Sequence, residues 1–236
     1  MQTVATRWRK AWGPVLVAVL LWAAAAGLAQ AQGASEKAGE TGGSREPVFL
    51  DILDEDALLL VTRSEGRDVV RVLGRSQVRH KRRTVWFDQM EYHEDANWAV
   101  LTGAVQLVDE GEDPLHLTAD YMELDLDSET AFARGNVQFV QEAAEGSSDV
   151  LHYGEYSRLQ PFIQEELAAR QAAPAALEAA LAQFRPDDAV LILIGNVQMY
   201  DGDREFAAEF VVYNIRTESL VSVGRSAARL PGPQDD

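Results

Sequence analysis

Three carboxylates recur at a fixed distance from a glycine. Asp88 stands 15 residues before Gly103, Asp120 stands 15 before Gly135, and Glu209 stands 15 before Gly224. Carboxylates held close together can share acid–base work. Repetition at equivalent positions points instead to architecture, and the expected arrangement is a row along the sheet edge. The four histidines, His80, His93, His116 and His152, occupy non-equivalent positions, and no two have the spacing of metal ligands. No Gly-x-Ser-x-Gly elbow, phosphate loop or dinucleotide fingerprint occurs in the chain. Neither a catalytic residue nor a metal nor a cofactor is therefore expected, and the chain reads as a non-enzyme. The one dense basic run is Arg79-His80-Lys81-Arg82-Arg83. Arg79, Lys81, Arg82 and Arg83 are candidate contacts for an anion such as a lipid phosphate. The same run also fits a solvated turn between two strands.

The elements that would position these residues form an internal repeat. Gly-x-Val-Gln appears at Gly103, Gly135 and Gly195, with weaker echoes at Gly74 and Gly224. Flanking residues keep register: Val85, Leu117 and Phe206; Phe87, Ala119 and Ala208; Met90, Met122 and Val211; Tyr92, Leu124 and Tyr213. Apolar residues alternate within each unit, the pattern of half-buried strands. The slip between Tyr121 and Met122 suggests a bulge, and the glycine is expected to supply a bend or a positive φ. Asp127-Ser128-Glu129 reads as a polar turn. The steps Gly74–Gly103 and Gly195–Gly224 are 29 residues each, Gly103–Gly135 is 32, and Gly135–Gly195 is 60. Removing the 31 residues 158–188 from the long step leaves 29. That segment, rich in Ala, Glu and Leu, reads as a helical hairpin inserted into one repeat. Pro174 opens its second helix. Ile163 and Leu167 form one apolar stripe, and Leu177, Leu181 and Phe184 the other; one open end of the sheet is the expected packing site.

The first residues carry Arg7, Arg9 and Lys10, followed by an apolar run from Val15 to Leu28 and then Ala29-Gln30-Ala31. Residues 1–31 therefore read as a secretory signal cleaved after Ala31, with an uncleaved inner-membrane anchor as the alternative. Residues 32–47 read as a flexible linker, 48–230 as one β domain carrying the 158–188 insertion, and 231–236 as a disordered tail. The chain has no cysteine, so neither a disulfide nor a lipidated cysteine is available. Its formal charge is −17, and all 38 acidic residues follow Ala31. Such a surface repels phosphate backbones, which argues against nucleic acid as a partner.

Leu117-Thr118-Ala119-Asp120-Tyr121-Met122-Glu123-Leu124-Asp125, with Ala133-Arg134-Gly135-Asn136-Val137 after it, resembles the OstA-like family. That family comprises the lipopolysaccharide-transport periplasmic proteins LptA and LptC and the amino-terminal domain of LptD. The resemblance covers residues 56–225, interrupted by the insertion. It implies an all-β fold, a β-jellyroll or open twisted barrel of repeated antiparallel strand pairs. It further implies a periplasmic place in outer-membrane biogenesis and an apolar interior holding acyl chains. Lipopolysaccharide or another lipid would be the ligand. Other envelope transport proteins with OstA-like domains would be partners, and strand-edge contact would allow a homo-oligomer. Shared registers place Val85, Phe87, Leu117, Ala119, Leu124, Val137, Phe139 and Val197 on one face, so these residues are the expected lipid-binding groove. The chain departs from the family's short members in its helical insertion and its negative charge. Two other classes stay open: a structural repeat protein assembling through exposed strand edges without ligand, and an envelope enzyme with a β-helical fold.

Overall fold

The computed structural model describes residues 3–6, 48–64, 67–111, 114–142, 144–170, 174–202 and 204–229. Of the expected leader only Thr3–Thr6 falls within them, in a strand; the rest of 1–31, the whole linker 32–47 and the tail 231–236 lie outside the described residues. Among the described residues no helix is long and apolar enough to cross a membrane.

The fold is all-β and antiparallel, a single sheet that does not close on itself. Its twelve strands are β1 (Thr3–Thr6), β2 (Phe49–Ile52), β3 (Leu58–Ser64), β4 (Arg67–His80), β5 (Arg83–His93), β6 (Trp98–Asp109), β7 (Leu115–Asp125), β8 (Thr130–Gln141), β9 (Ala144–Glu155), β10 (Ala189–Asp201), β11 (Arg204–Asn214) and β12 (Ser219–Arg229). From β3 to β12 each strand pairs with the next in sequence; β1 pairs with β3, and β2 flanks the second half of β4. Short turns make this meander, so nearly every pairing is between chain neighbours.

Long strands do not run straight. Pairing slips in mid-strand at Thr102/Val105, Thr118/Tyr121, Arg134/Val137 and Ile194/Val197. Gly135 and Asn136 both have positive φ there, at 76° and 49°, as do Gly195 and Asn196 at 75° and 46°. Two successive left-handed residues make a bulge and turn the strand. Each slip also changes which residues point inward, so the two arms of a bent strand bury the same face: Leu115, Leu117 and Ala119 on one arm of β7, Met122 and Leu124 on the other. The crease therefore folds the sheet over a single core running from Leu50 to Ile215.

The carboxylates lie along this crease, mid-strand, and not on the sheet edge as expected. Asp120 faces Gly135 and accepts a hydrogen bond from Asn136 Nδ2 at 2.7 Å; Asp149 faces Gly195 and accepts one from Asn196 Nδ2 at 2.9 Å. At Gly103 the next residue is Ala104, and Arg75 takes the asparagine's place, donating to Asp88 Oδ1 and to the Ala104 carbonyl, each at 3.1 Å. Carboxylate and glycine are thus one device. The carboxylate occupies the space a Cβ would need, and the amide ties it across the bend. A Cβ on Gly195 would lie 2.4 Å from Asp149 Oδ2, whereas one on Gly202, also at positive φ, meets nothing. Gly195→Ala should lose about 2–4 kcal/mol, combining the left-handed strain with overpacking. Gly202→Ala should lose only about 1 kcal/mol; urea denaturation of the two variants checks the difference.

The helices α1 (Tyr156–Ala169) and α2 (Pro174–Leu181) lie between β9 and β10, whose ends remain paired at Glu155↔Ala189. Their apolar stripes do not cap an open end. Tyr156, Leu159, Ile163, Leu181 and Phe184 pack with Val190 and Ile192 of β10 and Phe210 and Val212 of β11. These sheet residues alternate with Leu191, Leu193, Val211 and Tyr213 of the main core. The hairpin therefore covers the outer face of the carboxyl-terminal strands.

Candidate functional site

The eight expected groove residues come together. Val85 and Phe87 on β5, Leu117, Ala119 and Leu124 on β7, Val137 and Phe139 on β8, and Val197 on β10 all belong to the one interior, and all are buried. Phe139 fills space that Gly146 leaves open: a Cβ there would lie 2.8 Å from its ring. A cavity near its rim, lined by Val78, Val85, Leu107, Leu124, Leu126 and Ala131 with His80, Arg83, Asp125, Glu129 and Thr130, measures about 20 Å³, room for roughly one water.

The arms meet along a seam, and its contacts follow the repeat. On one arm stand Leu124, Tyr153 and Tyr213, four residues after Asp120, Asp149 and Glu209. On the other stand the residues six after a crease glycine: His80, Asp109 and Gln141. Tyr153 of β9 donates its hydroxyl to Asp109 of β6 at 2.8 Å, and Tyr213 of β11 bonds Gln141 of β8 at 3.2 Å. Leu124 of β7 and His80 of β4 line the same small cavity. Each of these three pairs spans three strands of the meander.

Asp109 is the most enclosed charge of the seam. Arg83 Nε approaches its Oδ2 at 2.8 Å, Arg82 Nε its Oδ1 at 2.7 Å, and the Gly111 amide donates to Oδ1 at 3.0 Å. Burial by itself would raise the Asp109 pKa. Hydrogen bonds from Arg83 and Tyr153 and the charges of Arg83 and Arg82 outweigh it and hold the carboxyl below its ordinary value. The Tyr153 hydroxyl is pushed up to about 12, first by burial and then by the neighbouring carboxylate, so it stays a donor. Arg83 also lies over the Tyr153 ring at 5.1 Å and donates Nη1 to the Glu129 carbonyl at 2.8 Å.

The arginines and the lysine of the basic run are each paired with a carboxylate of the chain. Arg79 pairs with Asp51 at 3.0 Å, Lys81 with Glu129, and Arg82 and Arg83 with Asp109. Lys81 and Arg82 form the turn between β4 and β5. The histidines stay apart: His93 sits 3.0 Å from Glu91, and His152 stacks between Phe132 and Phe162 of α1 at 5.0 and 4.1 Å. Burial lowers the His152 pKa to about 4, keeping the ring neutral in its stack. Among the described residues no three His, Cys, Asp or Glu side chains gather as a metal site.

Two members of the pattern were missed from sequence. Asp149 is the fourth crease carboxylate, and Tyr153 the matching seam residue. Asp149 lies 46 residues before Gly195, which becomes 15 once the 31-residue insertion is discounted. Comparison with known protein families matches no family model, and comparison with curated proteins finds no match.

Proposed function

We propose that the protein is a non-catalytic periplasmic carrier or bridge for lipid in outer-membrane biogenesis, an open jellyroll of the OstA-like kind that shelters acyl chains between its arms. The observation that carries this reading is the single apolar interior running the length of an unclosed sheet. Transfer from water of a chain of about a dozen carbons favours such an interior by on the order of 10 kcal/mol. A membrane offers nearly the same, so exchange between the two is close to balanced. Lipopolysaccharide or a simpler lipid would be the cargo, and envelope proteins with matching domains would be donor and acceptor.

Native mass spectrometry after gentle purification tests this. A lipid mass should accompany the protein. Val197→Thr keeps the side chain's shape but puts a hydroxyl on the interior wall; at about 1–2 kcal/mol it should weaken lipid binding by about 5- to 30-fold and lower the lipid-bound fraction accordingly. Glu145→Gln, on the exposed surface, should not. Lipid-free protein throughout would overturn the reading.

A second reading rests on β12. Among the described residues it pairs with β11 alone, and residues 224–229 are exposed. An unpaired edge of this length can template another strand. Lipid-free polymers in the same spectra would favour assembly through that edge.

A further inference from the structure

The Gly-x-Val-Gln motif holds one residue that the fold does not use. Its glycine bends the strand and its valine faces the core. Its glutamine points away from the core: Gln106, Gln138 and Gln198 are exposed, and Gln77 holds the same place after Gly74. Strand pairing sets the four in one row across the sheet. Gln77 pairs with Trp86, Trp86 with Gln106, Gln106 with Thr118, Thr118 with Gln138, Gln138 with Ser147, and Ser147 with Gln198. An amide therefore recurs at every second strand, a step of about 9–10 Å. The strands between carry an indole and two hydroxyls. None of these residues is charged, in a chain with a formal charge of −17. On one side of the row runs the crease with its carboxylates. On the other stand Thr84, Val108, His116 and Val140, ahead of Glu145.

We infer that this row is a binding site for a neutral β-1,4-linked glycan of N-acetylated sugars, lying across the strands. A glutamine side chain presents two donors and an acceptor in one plane, a match for the carbonyl and N–H of an acetamido group. In a β-1,4-linked chain each sugar is turned over relative to the last. Acetamido groups on one side therefore recur once per disaccharide, a repeat close to two strand spacings, about 9–10 Å. The C–H face of a pyranose is apolar, and half-buried Trp86 offers a flat ring for it to pack on. Thr118 and Ser147 add hydroxyls that can donate or accept. Carboxylates along the crease repel a polyanion but not an uncharged chain. From β4 to β10 the row crosses six strand spacings, about 29 Å, the length of a hexasaccharide. At its ends Gln77 donates to Asp51 at 2.9 Å and Gln198 accepts from the Tyr200 hydroxyl at 3.4 Å. Gln106 and Gln138 are its exposed middle. The row faces away from the core, so the inference does not rest on the lipid-carrier reading.

Isothermal titration of the full protein with chitohexaose, the β-1,4-linked hexamer of N-acetylglucosamine, tests this. The parent should bind it. Gln106→Thr and Gln138→Thr should each weaken binding about fivefold, the loss of one hydrogen-bonding group, and together about 25-fold. Both positions are exposed and threonine suits a strand, so these variants keep the fold. Gln89→Thr, the same change at an exposed position on the other arm of β5, should match the parent. Maltohexaose, whose α-1,4 linkages coil the chain, should bind far more weakly, and so should the fully deacetylated hexamer. Equal binding of maltohexaose would overturn the match of spacing, and equal binding of the deacetylated hexamer would show attraction by charge in place of amide recognition. Parent-like binding by the double variant would put the sugar elsewhere and overturn the site. A parent that binds no hexamer would leave the row an ordinary solvated face and end the proposal.

Discussion

Asp109→Asn should cost about 3–5 kcal/mol, the usual loss when one partner of a buried ion pair is removed. Asp109 is only 1% exposed, and Arg83 only 18%. The asparagine would leave the Arg83 guanidinium enclosed without its counter-charge, and would lose one acceptor oxygen from a site that uses both. Urea unfolding followed by circular dichroism gives the loss directly, and Tyr153→Phe combined with it gives the coupling. The pH dependence has a definite sign. The folded pKa of Asp109 lies below its unfolded value, so its contribution is complete above roughly pH 4 and disappears as pH falls through the folded value. The parent should therefore lose stability on acidification below about pH 4 more steeply than Asp109→Asn. Parallel curves would mean that the seam is held by packing and not by this carboxylate.

The register of the repeat was legible because a β repeat writes its inward face in a period of two. Val105, Val137 and Val197 all face the core, as their shared register implied. The hinge was partly legible: glycine preceded by a carboxylate at a constant interval is a local signal, and the positive φ followed from it. Its location was misjudged, because a row of equivalent residues looks the same in sequence whether it runs along an edge or across the middle of a sheet. The slip from Tyr121 to Met122 carried the answer, since only a bend in mid-strand lets both arms bury one face. The seam could not be read at all. Tyr92, Leu124 and Tyr213 were visibly in register, yet the residues that face Leu124 and Tyr213 lie three strands back, an offset set by the twist and bending of the whole sheet. Tyr92 also bonds within its own hairpin, donating to Asn97 Oδ1 at 2.8 Å.

Deleting residues 156–188 and closing Glu155 to Ala189 through an Asn-Gly turn should leave a sheet that folds but self-associates. The ends of β9 and β10 are already paired, so a two-residue turn fits the connection. What the deletion uncovers is the outer face. Val190-Leu191-Ile192-Leu193-Ile194 is an unbroken apolar run, the mark of a strand covered on both sides. That run is the sequence signal for where the helices pack. Without them Val190, Ile192, Phe210 and Val212 meet water, at roughly 1.5–3 kcal/mol each. Phe210 also loses the Arg170 guanidinium that lies 4.7 Å above its ring. The return of the chain is anchored separately: Asp188, its carboxyl brought down to about 2, accepts from Arg216 at 2.6 Å, Asn214 at 2.6 Å and the Arg185 amide at 2.9 Å. Its burial opposes that shift, and the hydrogen bonds outweigh it. Removing Asp188 takes away the carboxylate that Asn214 and Arg216 both bond, adding to the loss. The deletion should therefore unfold at a urea concentration well below the parent's and sediment as oligomers. Adding Ile192→Thr and Phe210→Thr to the deletion should restore the monomer, because the newly wet face then carries polar β-formers. If the bare deletion stays monomeric and as stable as the parent, the helices contribute nothing to the outer face. The insertion would then have to be explained by something it binds.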